Sequence, residues 1–100
     1  MNEAGLERGA DGRVRLSGDL DFTTVPVIWP ELESLLRDGS AIELSLAGVD
    51  HTNSAALAML IEALAVAKRN GGRLVLADIP AELLDLARMS SCEELVGGAR

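Results

Sequence analysis

The sequence predicts an α/β domain: a small mixed β-sheet that opens with a hairpin, its helices mainly on one face. Three observations predict it. Arg13-Val14-Arg15-Leu16-Ser17 and Ile42-Glu43-Leu44-Ser45-Leu46 alternate polar and apolar residues, the mark of strands covered on one side only. Stretches of helical spacing separate the later strands, and about ten or more intervening residues is the length a parallel crossover needs. Asp11-Gly12 is a tight-turn signal just before the first alternating strand, so residues 6–9 read as the first arm of a hairpin.

The remaining elements follow in order. Residues 18–24 read as a polar connection, after which Thr24 can cap a helix with Pro26 in its first turn. Ile28, Leu32, Leu35 and Leu36 recur at helical spacing, but Pro30 lacks a backbone donor, so this helix either kinks at Pro30 or begins there. Gly39 ends it. The strand 42–46 leads into a loop over residues 48–53, rich in turn and capping residues, and a helix runs from Ser54 to Asn70. Gly71-Gly72 stops that helix, and Leu74-Val75-Leu76-Ala77 reads as a central strand. Pro80 opens a last helix over residues 81–89, a short turn can follow over residues 90–95, and residues 96–100 read as a frayed tail. The order is ββαβαβα, in one domain spanning residues 1–100.

Composition narrows the function. The chain is 48% hydrophobic and only 2% aromatic, so it can bury a core, and that core must be aliphatic. A net charge of −7 with a single lysine disfavours nucleic-acid and anionic-membrane partners, both of which demand clustered positive charge. No apolar run is long enough to span a bilayer, so direct membrane insertion is not expected. Residues 1–8 lack the apolar segment of a signal peptide, and the lone Cys92 cannot form an internal disulfide; both suit a cytoplasmic location.

The residues with chemistry to offer cluster in 50–62. A helix start carries free N–H groups and partial positive charge, and Asn53 or Ser54 can cap it. A phosphoryl group on Ser54 would sit where that dipole favours it, although an N-cap role alone also accounts for a serine here. Leu57, Leu60, Ile61 and Leu64 form the expected core stripe. Ala55, Met59, Glu62, Ala63 and Val66 fall on another side. These small or adaptable side chains suit a close protein contact, and equally a helix that is Ala-rich because alanine favours helices. Asp50, His51 and Ser54 are near in sequence, but a catalytic triad is defined by geometry. Asp19 and Asp21 could form a carboxylate pair, though loop acids are commonly just solvated. Cys92 and a single histidine give no zinc set, and no phosphate-binding or nucleophile-elbow motif is present. The reading is a non-enzymatic binding module with no cofactor and no metal.

Leu16-Ser17-Gly18-Asp19-Leu20-Asp21, then Leu46-Ala47-Gly48-Val49-Asp50 leading into Asn53-Ser54-Ala55-Ala56-Leu57, resembles the STAS family. That family includes anti-sigma factor antagonists and the cytoplasmic domains of sulfate transporters. The run Phe22-Thr23-Thr24-Val25-Pro26 with Trp29, the run from Asn53 to Leu60, and Leu86-Ala87-Arg88-Met89-Ser90 look most like the stand-alone STAS subunit of Mla-type phospholipid ABC transporters. This resemblance implies a STAS-like fold and a partner: the transporter's ATPase subunit, at the inner face of the membrane. Contact would run through Thr52, Asn53, Ser54, Ala55, Ala58, Met59 and Glu62. In the anti-sigma branch, the residue matching Ser54 is phosphorylated by a partner kinase. This chain has Asn53 where that pattern often has Asp, and Ala56 where it often has Gly, which puts kinase recognition in question and leaves protein binding intact. An unpartnered apolar face also allows a weak homodimer.

Overall fold

The computed structural model describes residues 3–10 and 12–90. Among them the chain runs β1 (Gly5–Arg8), β2 (Arg13–Leu20), α1 (Val25–Leu36), β3 (Ala41–Thr52), α2 (Ser54–Arg69), β4 (Arg73–Ala77) and α3 (Ala81–Met89). This is the predicted order. The sheet is equally simple, β1-β2-β3-β4, with β1 antiparallel to β2 and the other two pairs parallel, so β4, expected as a central strand, lies instead at the sheet edge among the described residues. Asp11 of the expected turn, Cys92, most of the short turn expected over 90–95 and the tail over 96–100 lie outside the described residues.

Alternation does what it promised. Val14, Leu16 and Leu20 of β2, Ile42, Leu44 and Leu46 of β3, and Leu74 and Leu76 of β4 are buried, while Arg13, Arg15 and Glu43 between them are exposed. The helices cover the apolar face. α1 contributes Ile28, Leu32 and Leu36, one residue per turn, and α3 contributes Leu83 and Ala87. Each leucine buried in this way stabilises the fold by roughly 1.5–3 kcal/mol.

α2 departs from the expected stripe. Its buried residues are Ala56, Leu57, Met59, Leu60, Ala63, Val66 and Ala67, whereas Ile61 and Leu64 are only partly covered. Ala63 and Val66, expected on the outer side, are inside. The cause is position: α2 lies between α1 and α3 and also packs on β3 and β4, so a wide arc of it is covered. The helix ends as the glycine pair predicted. Gly72 N–H bonds to Ala67 C=O at 2.9 Å and Gly71 N–H to Lys68 C=O at 3.2 Å, with Gly71 at φ 73°.

The two central strands are longer than expected. β2 continues through Leu20 and β3 through Thr52, so residues 18–20 and 48–52 are strand rather than connection. The register explains why alternation lost them. Arg15 pairs with Ser45 but Ser17 with Gly48, and Gly18 pairs with Val49 but Asp19 with His51. β3 carries an extra residue at each step, and each bulge breaks the two-residue period. Gly18 is required here: its φ is 81°, and a Cβ would run into the Glu3 carbonyl. In α1 the proline question also resolves, since one helix contains Pro30. Pro26 and Pro30 are both exposed, so the carbonyl left without its helical donor lies on the solvent side.

Candidate interaction site

The site forms where β2 and β3 end together. Leu20 pairs with Thr52, and the Asn53 N–H reaches the Leu20 carbonyl at 3.3 Å. Asn53 is then the whole connection to α2, not the last residue of a loop. Its backbone is extended, its Oδ1 accepts the Ala55 N–H at 2.8 Å, and its carbonyl accepts the Ala56 N–H at 3.0 Å. Of the two capping candidates, Asn53 does the work. Ser54 becomes the first helical residue, exposed, and its hydroxyl makes no hydrogen bond among the described residues.

Beside it, the end of β2 turns into α1 through a reciprocal cap. Asp21 Oδ1 accepts the N–H of Thr23 at 2.9 Å, the hydroxyl of Thr23 at 2.7 Å and the N–H of Thr24 at 3.1 Å. Thr24 Oγ1 accepts the Asp21 N–H at 2.9 Å and donates to the Asp19 carbonyl at 2.8 Å. Thr24 thus stands at the cap position of α1 as expected, but its backbone is already helical and its side chain caps no α1 N–H. The side-chain capping bonds come from Asp21, one turn earlier. The Thr23 hydroxyl first, then the two N–H groups, hold the Asp21 carboxyl below its ordinary range. The turn leaves Phe22 67% exposed.

Phe22, Val25, Pro26 and Trp29 on this side face Ala55, Ala58, Met59 and Glu62 of α2 across an open groove of about 390 Å³. Four of the seven expected contact residues thus line one depression. Met59 needs a correction: it is 4% exposed and packed into the core, so it forms the floor and touches only a side chain that enters the groove. Sequence reasoning left the α1 wall out of the contact set. The available signal was that both aromatics of an aliphatic chain, Phe22 and Trp29, stand within one short segment.

On the other flank of Ser54, α3 closes on the strand end. Glu82 Oε1 accepts both the N–H of Thr52 at 2.8 Å and its hydroxyl at 3.0 Å. These two bonds, helped by the charge of His51, lower the Glu82 carboxyl below its ordinary 4.5. Thr52, Asn53, Ser54, Glu82, Asp85, Leu86 and Met89 line a shallow notch there, with Met89 78% exposed. Ser54 and Ala55, adjacent in the chain, therefore belong to two neighbouring depressions.

The other sequence candidates are not gathered. His51 pairs in register with Asp19, and among the described residues no hydrogen bond links it to Ser54. Asp21 is engaged in its cap, while Asp19 keeps one buried oxygen without a hydrogen-bond partner among the described residues. No group of three metal-ligating side chains is found among the described residues, and no helix there is long and apolar enough to cross a membrane.

Comparison with known proteins bears on the family and the fold. A family model described as Mlab, STAS domain matches residues 6–97. The anti-sigma-B factor antagonist of Bacillus subtilis (strain 168) is 23% identical over 86 residues, covering 86% of this chain and 79% of that protein. Among solved structures, an anti-sigma-factor antagonist (STAS) domain protein from Planctomyces limnophilus superposes with a TM-score of 0.70 at 14% identity, over 93% of this chain and 86% of that one. The anti-sigma factor antagonist SpoIIAA in its unphosphorylated form gives 0.67 at 16% identity, over 86% and 82%. With the fold, the strand-end site and a family match over nearly its whole length, this chain belongs to the STAS domain family.

Proposed function

We propose that this chain is a non-enzymatic regulatory subunit that docks on the ATPase of an Mla-type phospholipid ABC transporter, from the cytoplasmic side, through the first turn of α2. The observation that carries the reading is Ser54: exposed, released from capping by Asn53, and set between an apolar groove and a notch of mixed character that carries Glu82 and Asp85. Such a site offers protein contact rather than chemistry. The Mlab description of the matching family model favours the transporter branch. In this reading Thr52 and Asn53 fix the backbone, Ser54 gives a small polar contact, and Ala55, Ala58 and Glu62 form the approached face over the Met59 floor.

The test is affinity capture from native lysate with the wild-type chain and Ser54→Glu, bound proteins being identified by mass spectrometry. The wild type should recover an ABC ATPase with its permease, and Ser54→Glu should lose it. Undiminished recovery by the variant would mean the contact lies elsewhere.

A second reading is an anti-sigma factor antagonist switched by phosphorylation of Ser54, favoured by the named relatives and by the accessible hydroxyl. A phosphate adds about −1.5 to −2 charge and would repel an acidic partner or spoil an apolar contact. Recovery of a small kinase instead of an ATPase supports it. The weak homodimer is a separate question, answered by sedimentation across a range of concentrations.

A further inference from the structure

Resting on the reading of this surface as a docking face, we infer that the partner presents an amphipathic basic segment: one large apolar side chain for the α1–α2 groove and a Lys or Arg beside it for the α2–α3 notch. The groove and notch meet at consecutive residues, Ala55 and Ser54, so one short segment crosses both. The groove's lining is apolar except for Glu62, and its exposed Phe22 beside Trp29 is the type of aromatic anchor that dominates interface energies.

Charge chooses the rest of the partner. Neither depression is lined by a Lys, Arg or His, whereas Glu62, Glu82 and Asp85 contribute carboxylates. Thr52 engages one oxygen of Glu82, and Arg88 Nη1 engages Asp85 Oδ1 at 3.1 Å. A carboxylate has two oxygens, so each of these acids keeps one for an incoming cation. Arg69 and Arg88 stand beside Glu62 and Asp85, while Arg8, Arg13 and Arg15 border a different depression on the uncovered side of the sheet. With three carboxylates against two arginines that are each already paired to one of them, this face of a chain of net charge −7 steers a basic segment to it and repels an acidic one.

The test is selection from a random displayed peptide library on the immobilised full-length chain, followed by titration of the enriched peptides, made without tryptophan, against the fluorescence of Trp29. Enriched peptides should pair a large apolar residue with a nearby Lys or Arg and should perturb Trp29. Ala58→Glu, at an exposed groove position, should weaken them about tenfold. Glu62→Gln with Asp85→Asn, both in exposed surface pairs, should weaken them about threefold and flatten their salt dependence. Circular dichroism shows that the variants remain folded. Enrichment of acidic or uncharged peptides, indifference to Ala58→Glu, or no enrichment overturns the inference. So does self-association of the wild type that Arg13→Glu abolishes, because the occupant is then the arginine-bearing sheet face of a second copy. Loss of the ATPase in the capture experiment with these peptide results intact removes the transporter and keeps the surface chemistry. The converse removes the chemistry and keeps the docking.

Discussion

Thr52 and Glu82, thirty residues apart in sequence, are joined by two hydrogen bonds to a single carboxylate oxygen, at 2.8 and 3.0 Å. The pair ties the first turn of α3 to the end of β3, one residue before the cap of α2. It also makes the clasp sensitive to acid. The folded Glu82 carboxyl lies below its ordinary 4.5, so its stabilisation is fully present above that value and is lost as pH falls through the lowered folded value. Glu82→Ala should therefore lower the melting temperature near neutral pH, and its gap from wild type should close in acid. Thermal unfolding by circular dichroism across that range is the check. A gap that stays constant in acid would mean the ionised clasp contributes nothing.

Asn53→Ala removes the side-chain cap of α2 and leaves the Ala55 N–H without its partner. The cost should be about 1 kcal/mol, read as a melting temperature lower by roughly 4–8 °C. An unchanged melting point would show that water replaces the amide at no cost.

Ser54→Ala should leave stability within about 0.5 kcal/mol of wild type, since the hydroxyl makes no hydrogen bond among the described residues. Ser54→Glu should also fold, because an acid in the first turn of a helix is favourable to its dipole. Denaturant titration of both variants separates folding from docking. If Ser54→Glu unfolds, loss of a partner says nothing about the contact.

Leu44 lies in the first half of β3 and is fully buried. Leu44→Ala should cost about 2–5 kcal/mol, a large part of the stability available to a domain of this size. A urea midpoint within error of wild type would mean the core collapses to fill the space.

Pro30→Ala restores a donor for the Pro26 carbonyl in the middle of α1. The melting temperature should rise, by up to the equivalent of about 3 kcal/mol. A fall would mean that the proline ring, although exposed, holds the N-terminal half of α1 at the angle the groove needs.

Much of this was legible in the sequence. The hairpin, the three helices and the Gly71-Gly72 stop all follow from local signals: alternation, spacing, capping and turn residues. The lost parts are those that local signals cannot carry. Strand residues 48–52 read as loop because two bulges shift parity and polar side chains crowd the strand end. The buried side of α2 was misjudged because its flanking helices decide which residues count as inside, drawing Ala63, Val66 and Met59 into the core. Glu82 joins the site only through the fold, from a helix that begins well beyond α2. Phe22 and Trp29 were findable, since both aromatics of an otherwise aliphatic chain stand within one short segment.

The one-residue passage from β3 to α2 leaves no slack in the backbone around Ser54. A flexible loop would have to be ordered on contact, at about 1–2 kcal/mol for each residue fixed; here the sheet has already done the ordering. In the proposed docking a partner would meet a fixed tooth rather than a closing hand, and its recognition would be fast and shallow. An off-signal for such a surface has little shape to change and must act by altering the charge or bulk that the tooth carries.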